Sequence, residues 1–106
     1  MSVLYTPIQL YKGTLTAVLT TNLYIAPSKV IIKEIILCNT SAGVVPVTLK
    51  YGVSGSEIAI FDAKNLQAGE TKIISTSTIL ESNEVIDGGD DTGSVVDIFI
   101  SGIVIT

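Results

Sequence analysis

The sequence predicts an all-β protein, a single-domain β-sandwich of about seven or eight mainly antiparallel strands. Its 106 residues include 16 isoleucines, 11 valines and 12 threonines, whose β-branched side chains suit a pleated strand better than a helix. Short apolar stretches alternate with turn-forming stretches, and no stretch shows a convincing helical period. A chain of this length is sufficient for one hydrophobic core and fits one domain.

The N-terminal segment, residues 1–12, is predicted to be an arm or an edge strand, and residues 13–106 are predicted to form the β-sandwich domain. Pro7 has no backbone N–H to donate to a neighbouring strand, which favours a position at a sheet edge. Across residues 14–21, apolar and threonine positions alternate, which predicts a half-buried strand. Ala26–Lys29 is then predicted to be a turn, with one backbone angle set by its proline.

The segment Val30–Asn39 is predicted to be the central strand of the fold. Apolar residues occupy both alternating sets of its positions, so we expect both of its faces to be covered. Cys38 is predicted to be a small buried hydrophobe, with a reactive thiol as the alternative. Thr40–Gly43 is predicted to turn the chain into a hairpin with the next strand. Asn39 begins a glycosylation acceptor triplet, but without a secretory signal we interpret its side chain as a cap on this turn.

The second half of the chain is predicted to contain further short strands separated by turns. Pro46 is predicted to lie at a sheet edge or a bulge, Gly69 to adopt a positive φ, and Gly102 to mark a bulge. Asp87–Gly93 is the strongest turn signal in the chain. The predicted strands cover residues 44–51, 57–63, 72–76, a short stretch after a loop within 78–86, and 95–105.

The charge distribution argues against nucleic acid as a partner. The formal net charge is -4, and no lysine follows Lys72, so every charged side chain after that position is acidic. Such a segment repels phosphate backbones.

No catalytic, cofactor-binding or metal-binding residues are predicted, and we expect the protein not to be an enzyme. The chain has no histidine, so Ser54 in the Gly52–Ser56 segment lacks the usual base and is interpreted as a loop serine. One cysteine and no histidine also argue against a zinc site. Asp87, Asp90 and Asp91 offer oxygen ligands for a calcium ion, but their spacing departs from a calcium loop, and a solvated acidic turn is favoured. Paired carboxylates suited to acid–base work cannot be located from the sequence alone.

The composition predicts self-association. Only 15% of the residues are charged and 47% are hydrophobic, so some aliphatic surface must remain outside the core. We therefore expect a homo-oligomer. The four tyrosines are interpreted as core or interface residues, with sugar stacking as the alternative.

Targeting and membrane segments are not apparent in the sequence. The N-terminus lacks the basic and apolar regions of a signal peptide, and no apolar run approaches the ~20 residues needed to span a bilayer. These features predict synthesis and folding in a cytoplasm, without membrane insertion.

Five stretches between Leu23 and Thr106 combine strand and turn patterns that occur together in one protein family. They are Leu23-Tyr-Ile-Ala-Pro, Ile31-Ile-Lys-Glu-Ile-Ile-Leu-Cys-Asn-Thr-Ser, Val47-Thr-Leu-Lys-Tyr, Leu66-Gln-Ala-Gly-Glu-Thr and Ile100-Ser-Gly-Ile-Val-Ile-Thr. This part of the chain resembles the small β-sandwich virion and tail structural proteins of tailed bacteriophages, which are related in fold to domains of phage receptor-binding proteins. The resemblance implies a non-enzymatic structural or tail-accessory protein that assembles with other phage tail or baseplate proteins, is made in the bacterial host cytoplasm and resides in the virion tail. It supplies no site residues, and a carbohydrate-binding module for host adsorption is the alternative function.

Overall fold

The protein is a β-sandwich of two four-stranded sheets, which confirms the predicted fold class. The computed structural model describes residues 7–105, without the side chains of residues 61 and 62. Sheet A has the strand order β1-β8-β3-β6 and sheet B the order β2-β7-β4-β5, and every strand pair is antiparallel in the described part of the chain. The strands are β1 Ile8–Thr14, β2 Asn22–Ile25, β3 Lys29–Asn39, β4 Val45–Gly52, β5 Ile58–Leu66, β6 Thr71–Leu80, β7 Val85–Asp90 and β8 Val96–Ile105.

The hydrophobic core lies between the two sheets and is built almost entirely from aliphatic side chains. Sheet A contributes alternate residues of β3 and β8, and sheet B contributes alternate residues of β4 together with Ile86 of β7. This period of two is the pattern of a strand with one face against the core. The large side chains buried completely or nearly so include Leu15, Ile32, Ile35, Leu37, Leu49, Leu66, Leu80, Ile98 and Ile100.

The central strand β3 is present as predicted, but the prediction that both of its faces are covered is wrong. Its register with both neighbours shifts between Ile32 and Glu34, so the inward positions change from even to odd numbers at this point. Lys33 and Glu34 lie at this register shift, and neither side chain is buried in the core. The outward face remains partly open to solvent, and Cys38 on that face is half-buried rather than buried as predicted.

The predicted hairpin between the central strand and the next strand is wrong, because β3 belongs to sheet A and β4 to sheet B. The segment between β3 and β4 instead passes from sheet A to sheet B. Asn39, fully buried at its start, accepts hydrogen bonds from the backbone N–H and hydroxyl of Ser41 at 3.0 and 2.8 Å. Its amide nitrogen donates to the carbonyl oxygens of Gly43, Leu66 and Gln67 at 2.8, 3.1 and 3.1 Å. The predicted capping role is therefore confirmed, and it ties the crossing segment to the end of β5.

The predicted turn at Asp87–Gly93 is largely wrong, since β7 continues through Asp90 as an interior strand. Its two glycines are there because of close packing. A Cβ atom on Gly88 would lie 2.4 Å from the Thr48 carbonyl oxygen, and one on Gly89 would lie 2.5 Å from that of Val18. Glycine in a strand often marks such a close backbone approach.

The structure also differs from the predictions for residues 15–21, for Pro46 and for residue 78. Residues 15–21 do not form the predicted strand but connect β1 to β2 across the sandwich. Pro46 is not on an edge strand, because β4 is interior, but it lies at the strand end, where the pairing with β7 begins only at Val47. The predicted loop at residue 78 is instead the end of β6, which runs to Leu80.

Residues 8–12, Gly69 and Gly102 lie at a sheet edge, in a turn and beside a register shift, respectively. Residues 8–12 belong to β1, an edge strand of sheet A that extends to Thr14, whereas the predicted arm at residues 1–6 lies outside the described part of the chain. Gly69 has the predicted positive φ of 71°. Gly102 is not itself the predicted bulge: it pairs with Ile32, and the extra residue of the adjoining register shift, Lys33, belongs to β3.

Candidate functional site

A carboxylate pair lies on the outer face of sheet B. Asp87, the third residue of β7, pairs with Asn22 on β2 and Lys50 on β4, so the three residues form one cross-strand row. Glu57 immediately precedes β5, and its side chain lines the same groove as that of Asp87. Asp87 is only 3% exposed, which is unusual for a carboxylate on the outer face of a sheet.

The pair lies in a polar groove between two loops. The loop after β1 forms one wall and the loop between β4 and β5 forms the other, and they enclose about 500 Å³. Hydroxyl groups, an amide and one amine surround the two carboxyl groups. The residues that line the groove are Leu19, Thr20, Asn22, Lys50, Ser54, Gly55, Ser56, Glu57 and Asp87.

The loop between β4 and β5 fixes the position of Glu57. The backbone N–H of Gly55 donates to Glu57 Oε1 at 2.6 Å, and the N–H of Ser56 donates to the Val53 carbonyl at 2.8 Å. Gly55 has a φ of 90°, a conformation that side chains other than hydrogen rarely permit. The turn therefore holds the Glu57 carboxylate towards Asp87.

The environment separates the acidities of the two carboxyl groups. Burial, and then the hydrogen bond to Glu57 and its negative charge, raise the pKa of Asp87 to about 7. The hydrogen bond from Asp87, followed by those of the backbone, holds the pKa of Glu57 below its usual range. The pair thus shares one proton below neutral pH, with Asp87 as the protonated partner. Asp87 Oδ1 has no hydrogen-bond partner among the described residues.

The structure does not bring together the three aspartates that the sequence offered as calcium ligands. Asp87 faces the groove, whereas Asp90 is fully buried and accepts a hydrogen bond from the backbone N–H of Gly93. Asp91 is exposed at the start of the turn. The prediction of a solvated acidic turn is therefore wrong for Asp87 and Asp90. Among the described side chains, those of residues 7–60 and 63–105, no three acidic or cysteine side chains are grouped as ligands for a metal ion.

The remaining sequence candidates occupy separate places. Ser54 lies in a loop, as predicted, and lines the groove without a histidine anywhere in the chain to activate it. The described tyrosines, Tyr11, Tyr24 and Tyr51, pack against the core and do not line the groove. Their positions support the packing interpretation over sugar stacking.

Sequence reasoning missed the pairing of Glu57 with Asp87, which are thirty residues apart. The available signal was the Gly88-Gly89 dipeptide, interpreted as part of a turn. Had these glycines been interpreted as a close backbone approach, Asp87 would have been placed on an interior strand. Its partner would still have depended on the order of strands in sheet B.

A second feature is the apolar outer face of sheet A, which carries two cross-strand rows of large side chains. In the first row, Ile36 of β3 lies between Ile73 of β6 and Phe99 of β8. In the second, Ile31 lies between Ile79 and Ile103. Ile73, Ile79 and Phe99 are 59%, 51% and 42% exposed. We call these six residues the outer apolar rows.

Comparison with known proteins leaves the family open. No protein-family model and no curated protein matches this sequence. A structure titled "Structure of infectious bursal disease virus Gx strain" is similar over 99% of this chain and 34% of that chain, with 11% sequence identity and a TM-score of 0.36. The present chain thus spans about a third of the length of that one. No helix in residues 7–105 has the length and apolarity required to cross a bilayer.

Proposed function

We propose that this protein is a non-enzymatic structural or tail-accessory protein of a tailed bacteriophage, which acts through protein–protein assembly as a homo-oligomer in the virion tail. The outer apolar rows are the observation that carries this proposal. Six large apolar side chains on one sheet face form two apolar rows, and exposed apolar surface of this kind marks interaction sites on soluble proteins. The sequence resemblance to phage tail proteins supplies the setting.

The charge around the rows fits a protein partner. Lys33 and Glu34 separate the two rows, and Lys12 Nζ lies 5.9 Å from the centre of the Phe99 ring. Apolar patches interrupted and bordered by polar groups are typical of interfaces between proteins that also exist separately. Assembly would bury the rows, with Lys33 and Glu34 between them and Lys12 at the Phe99 end of one row.

The experiment combines particle analysis with variants of β8, the strand that contributes Phe99 and Ile103. Mass spectrometry of purified virions should detect the chain, and purified tails should retain the recombinant protein. Phe99→Ser and Ile103→Ser should weaken self-association and tail binding, because each removes apolar area from the rows. Val53→Ser, at an exposed loop position, is the matched control. A strictly monomeric protein that fails to bind tails would contradict the proposal.

A carbohydrate-binding module for host adsorption is the second candidate, favoured by the polar groove on sheet B. Carboxylates and hydroxyls such as those of Glu57, Asp87 and Ser56 form hydrogen bonds with sugar hydroxyls, although the groove has no aromatic ring for stacking among its lining residues. A glycan and cell-wall binding screen with Glu57→Gln and Lys50→Ala tests this function. If the parent protein binds no glycan or cell-wall fragment, this function is ruled out. If the parent and both variants bind equally well, the groove is not the binding site.

The same groove provides the test of the non-enzymatic part of the proposal. Glycoside hydrolases hold two acids apart, so that one protonates the leaving group while the other attacks the sugar or activates water, whereas in this groove Asp87 and Glu57 share one proton. Hydrolase assays between acid and neutral pH should therefore give the same background for the parent protein and Asp87→Asn. Turnover that disappears in Asp87→Asn would overturn the non-enzymatic assignment.

A further inference from the structure

The exposed edge strand β6 differs from the other three edge strands in having few features that oppose further pairing. In the described chain, β6 is hydrogen-bonded to β3 on one side and to no strand on the other. Such an edge presents a row of backbone N–H and C=O groups to another strand. Between Lys72 and Glu81 it has no charged residue and no proline. These are the residues with which proteins usually protect an edge.

The other edges are shorter or more irregular. Strand β2 has four residues, and β1 has a register shift between Gln9 and Tyr11. Strand β5 has two register shifts with β4 and a positive φ of 52° at Ala63. Strand β6 meets β3 with one register shift, but its exposed and half-buried positions alternate without interruption from Thr71 to Ile79. The register shift lies between Ser75 and Thr78, near the middle of the strand, and with ten residues β6 is the longest edge strand in the described chain.

The outward residues of β6 are symmetric about Thr76. Ile73 and Ile79 lie three positions on either side, and Ser75 and Ser77 lie one position on either side. If two copies of this strand pair antiparallel around a twofold axis through Thr76, each Ile73 lies opposite Ile79 of the second copy. The Lys72 end of each strand then meets the end of the other that is followed by Glu81, so the terminal charges are complementary. The partner that fits this edge best is thus the same edge.

We infer that two copies of this chain associate through antiparallel pairing of their β6 strands, centred on Thr76, which joins two copies of sheet A into one eight-stranded sheet. This inference rests on the proposed function and specifies the surface on which the oligomer is built. The outer apolar rows of the two copies become continuous across the junction. Nine residues of each β6 strand, 72–80, are then paired and form about nine backbone hydrogen bonds, which is within the range of a typical protein interface.

A cavity behind β6 is a second reason to expect that another molecule covers this strand. An apolar cavity of about 30 Å³ lies between β6 and sheet B, lined by Ile74, Thr76 and Thr78 of β6 and by Ile60 and Tyr51 of sheet B. The β6 residues that line it are only half-buried. A second copy against the edge would shield this side of the core from water.

Charge reversal at the two isoleucines tests the pairing and its register. Ile73→Lys/Ile79→Lys and Ile73→Glu/Ile79→Glu each place like charges opposite one another at two points in the dimer. Each double variant alone should therefore associate at least about tenfold more weakly than the parent protein in sedimentation equilibrium. An equimolar mixture should recover association, because every lysine then faces a glutamate. Ile58→Lys, at a position 65% exposed on β5, is the control and should not change association.

A disulfide test addresses the twofold axis directly. The proposed register places residue 76 opposite itself, with Cα atoms about 4.5–5.5 Å apart, which a disulfide can span. Thr76→Cys in a Cys38→Ser background should form a cross-linked dimer under mild oxidation, whereas Ile58→Cys in the same background should remain monomeric on a non-reducing gel.

The outcomes separate this inference from the proposed function. Recovery in the mixture together with the Thr76→Cys cross-link supports β6 pairing. If the lysine and glutamate variants associate as the parent does, or if Thr76→Cys cross-links no better than Ile58→Cys, the inference is overturned. If β6 pairing is overturned but Phe99→Ser still weakens assembly, the proposed function stands, and the interface is formed by a surface other than the β6 edge. A monomeric parent protein overturns the β6 pairing, and its failure to bind tails overturns the proposed function as well.

Discussion

The amide nitrogen of Asn39 donates a hydrogen bond to the carbonyl oxygen of Leu66 at 3.1 Å, although the two residues end strands of different sheets. The same side chain also organises the segment that carries the chain from β3 to β4. Asn39 and Leu66 are both fully buried, so the Leu66 carbonyl has no access to water in exchange for this hydrogen bond. A single side chain thus connects the two halves of the sandwich.

Asn39→Ala should therefore lower the free energy of unfolding by about 1–3 kcal/mol, because it leaves the buried Leu66 carbonyl without this hydrogen bond. Urea denaturation followed by circular dichroism measures the change. Thr40→Ala is the matched control, since the exposed Thr40 side chain makes one hydrogen bond, to the Val95 carbonyl at 2.8 Å. We expect a loss of about 1 kcal/mol or less there. Equal losses at the two positions would contradict the bridging role of Asn39.

Gly88→Ala should destabilise the protein by about 3 kcal/mol, at the upper end of the usual cost of overpacking. The added methyl group would lie 2.4 Å from the Thr48 carbonyl oxygen and 2.6 Å from Leu49 Cδ2. The backbone atom cannot move without disturbing the pairing of β4 with β7. Gly43→Ala is the control, because its methyl group would meet no atom within 4 Å. Thermal unfolding of the two variants should differ clearly, and similar melting temperatures would refute the close-approach interpretation.

The sequence was sufficient to predict the fold class because the period of two and the abundance of β-branched residues are local properties. Strand partners are not local, so the sequence could not show that β3 and β4 lie in different sheets. The Asp87–Gly93 error has another cause: glycine permits both a turn and a close approach, and only the neighbouring β4 distinguishes them. The Glu57–Asp87 pair depends on both kinds of information and was therefore missed.

Cys38 provides a test of the partly open outer face of β3. Its thiol is half-buried, so a small maleimide should label it in the native protein at low protein concentration, more slowly than in the unfolded chain. The rate should change little with low concentrations of urea, because labelling does not require global unfolding. If labelling of Cys38 is undetectable without urea and its rate rises steeply as urea is added, the thiol is fully buried, as the sequence predicted. Ile36→Ala, which trims a neighbouring outward side chain, should accelerate labelling.

The carboxylate pair should make stability depend on pH in a direction opposite to that of an ordinary salt-bridged acid. The pKa of Asp87 is about 7 in the folded protein, whereas an aspartate in an unfolded chain has a pKa of about 3.9. The folded state therefore binds more protons than the unfolded state between about pH 4 and pH 7. Its stability from this group is fully present below pH 4 and is lost as the pH rises through 7.

The lowered pKa of Glu57 acts in the opposite sense at acidic pH, because its contribution is present above the unfolded value and is lost as the pH falls. The decline caused by Asp87 should consequently be clearest between about pH 5 and pH 8. Asp87→Asn replaces the protonated acid with a neutral group of the same shape, so its stability should exceed that of the parent protein at pH 8 and vary less with pH. Asp91→Asn, at an exposed position, should retain the parent's profile. Chemical denaturation across this pH range measures both, and parallel profiles for the parent and Asp87→Asn would show that the buried carboxyl group does not hold the shared proton.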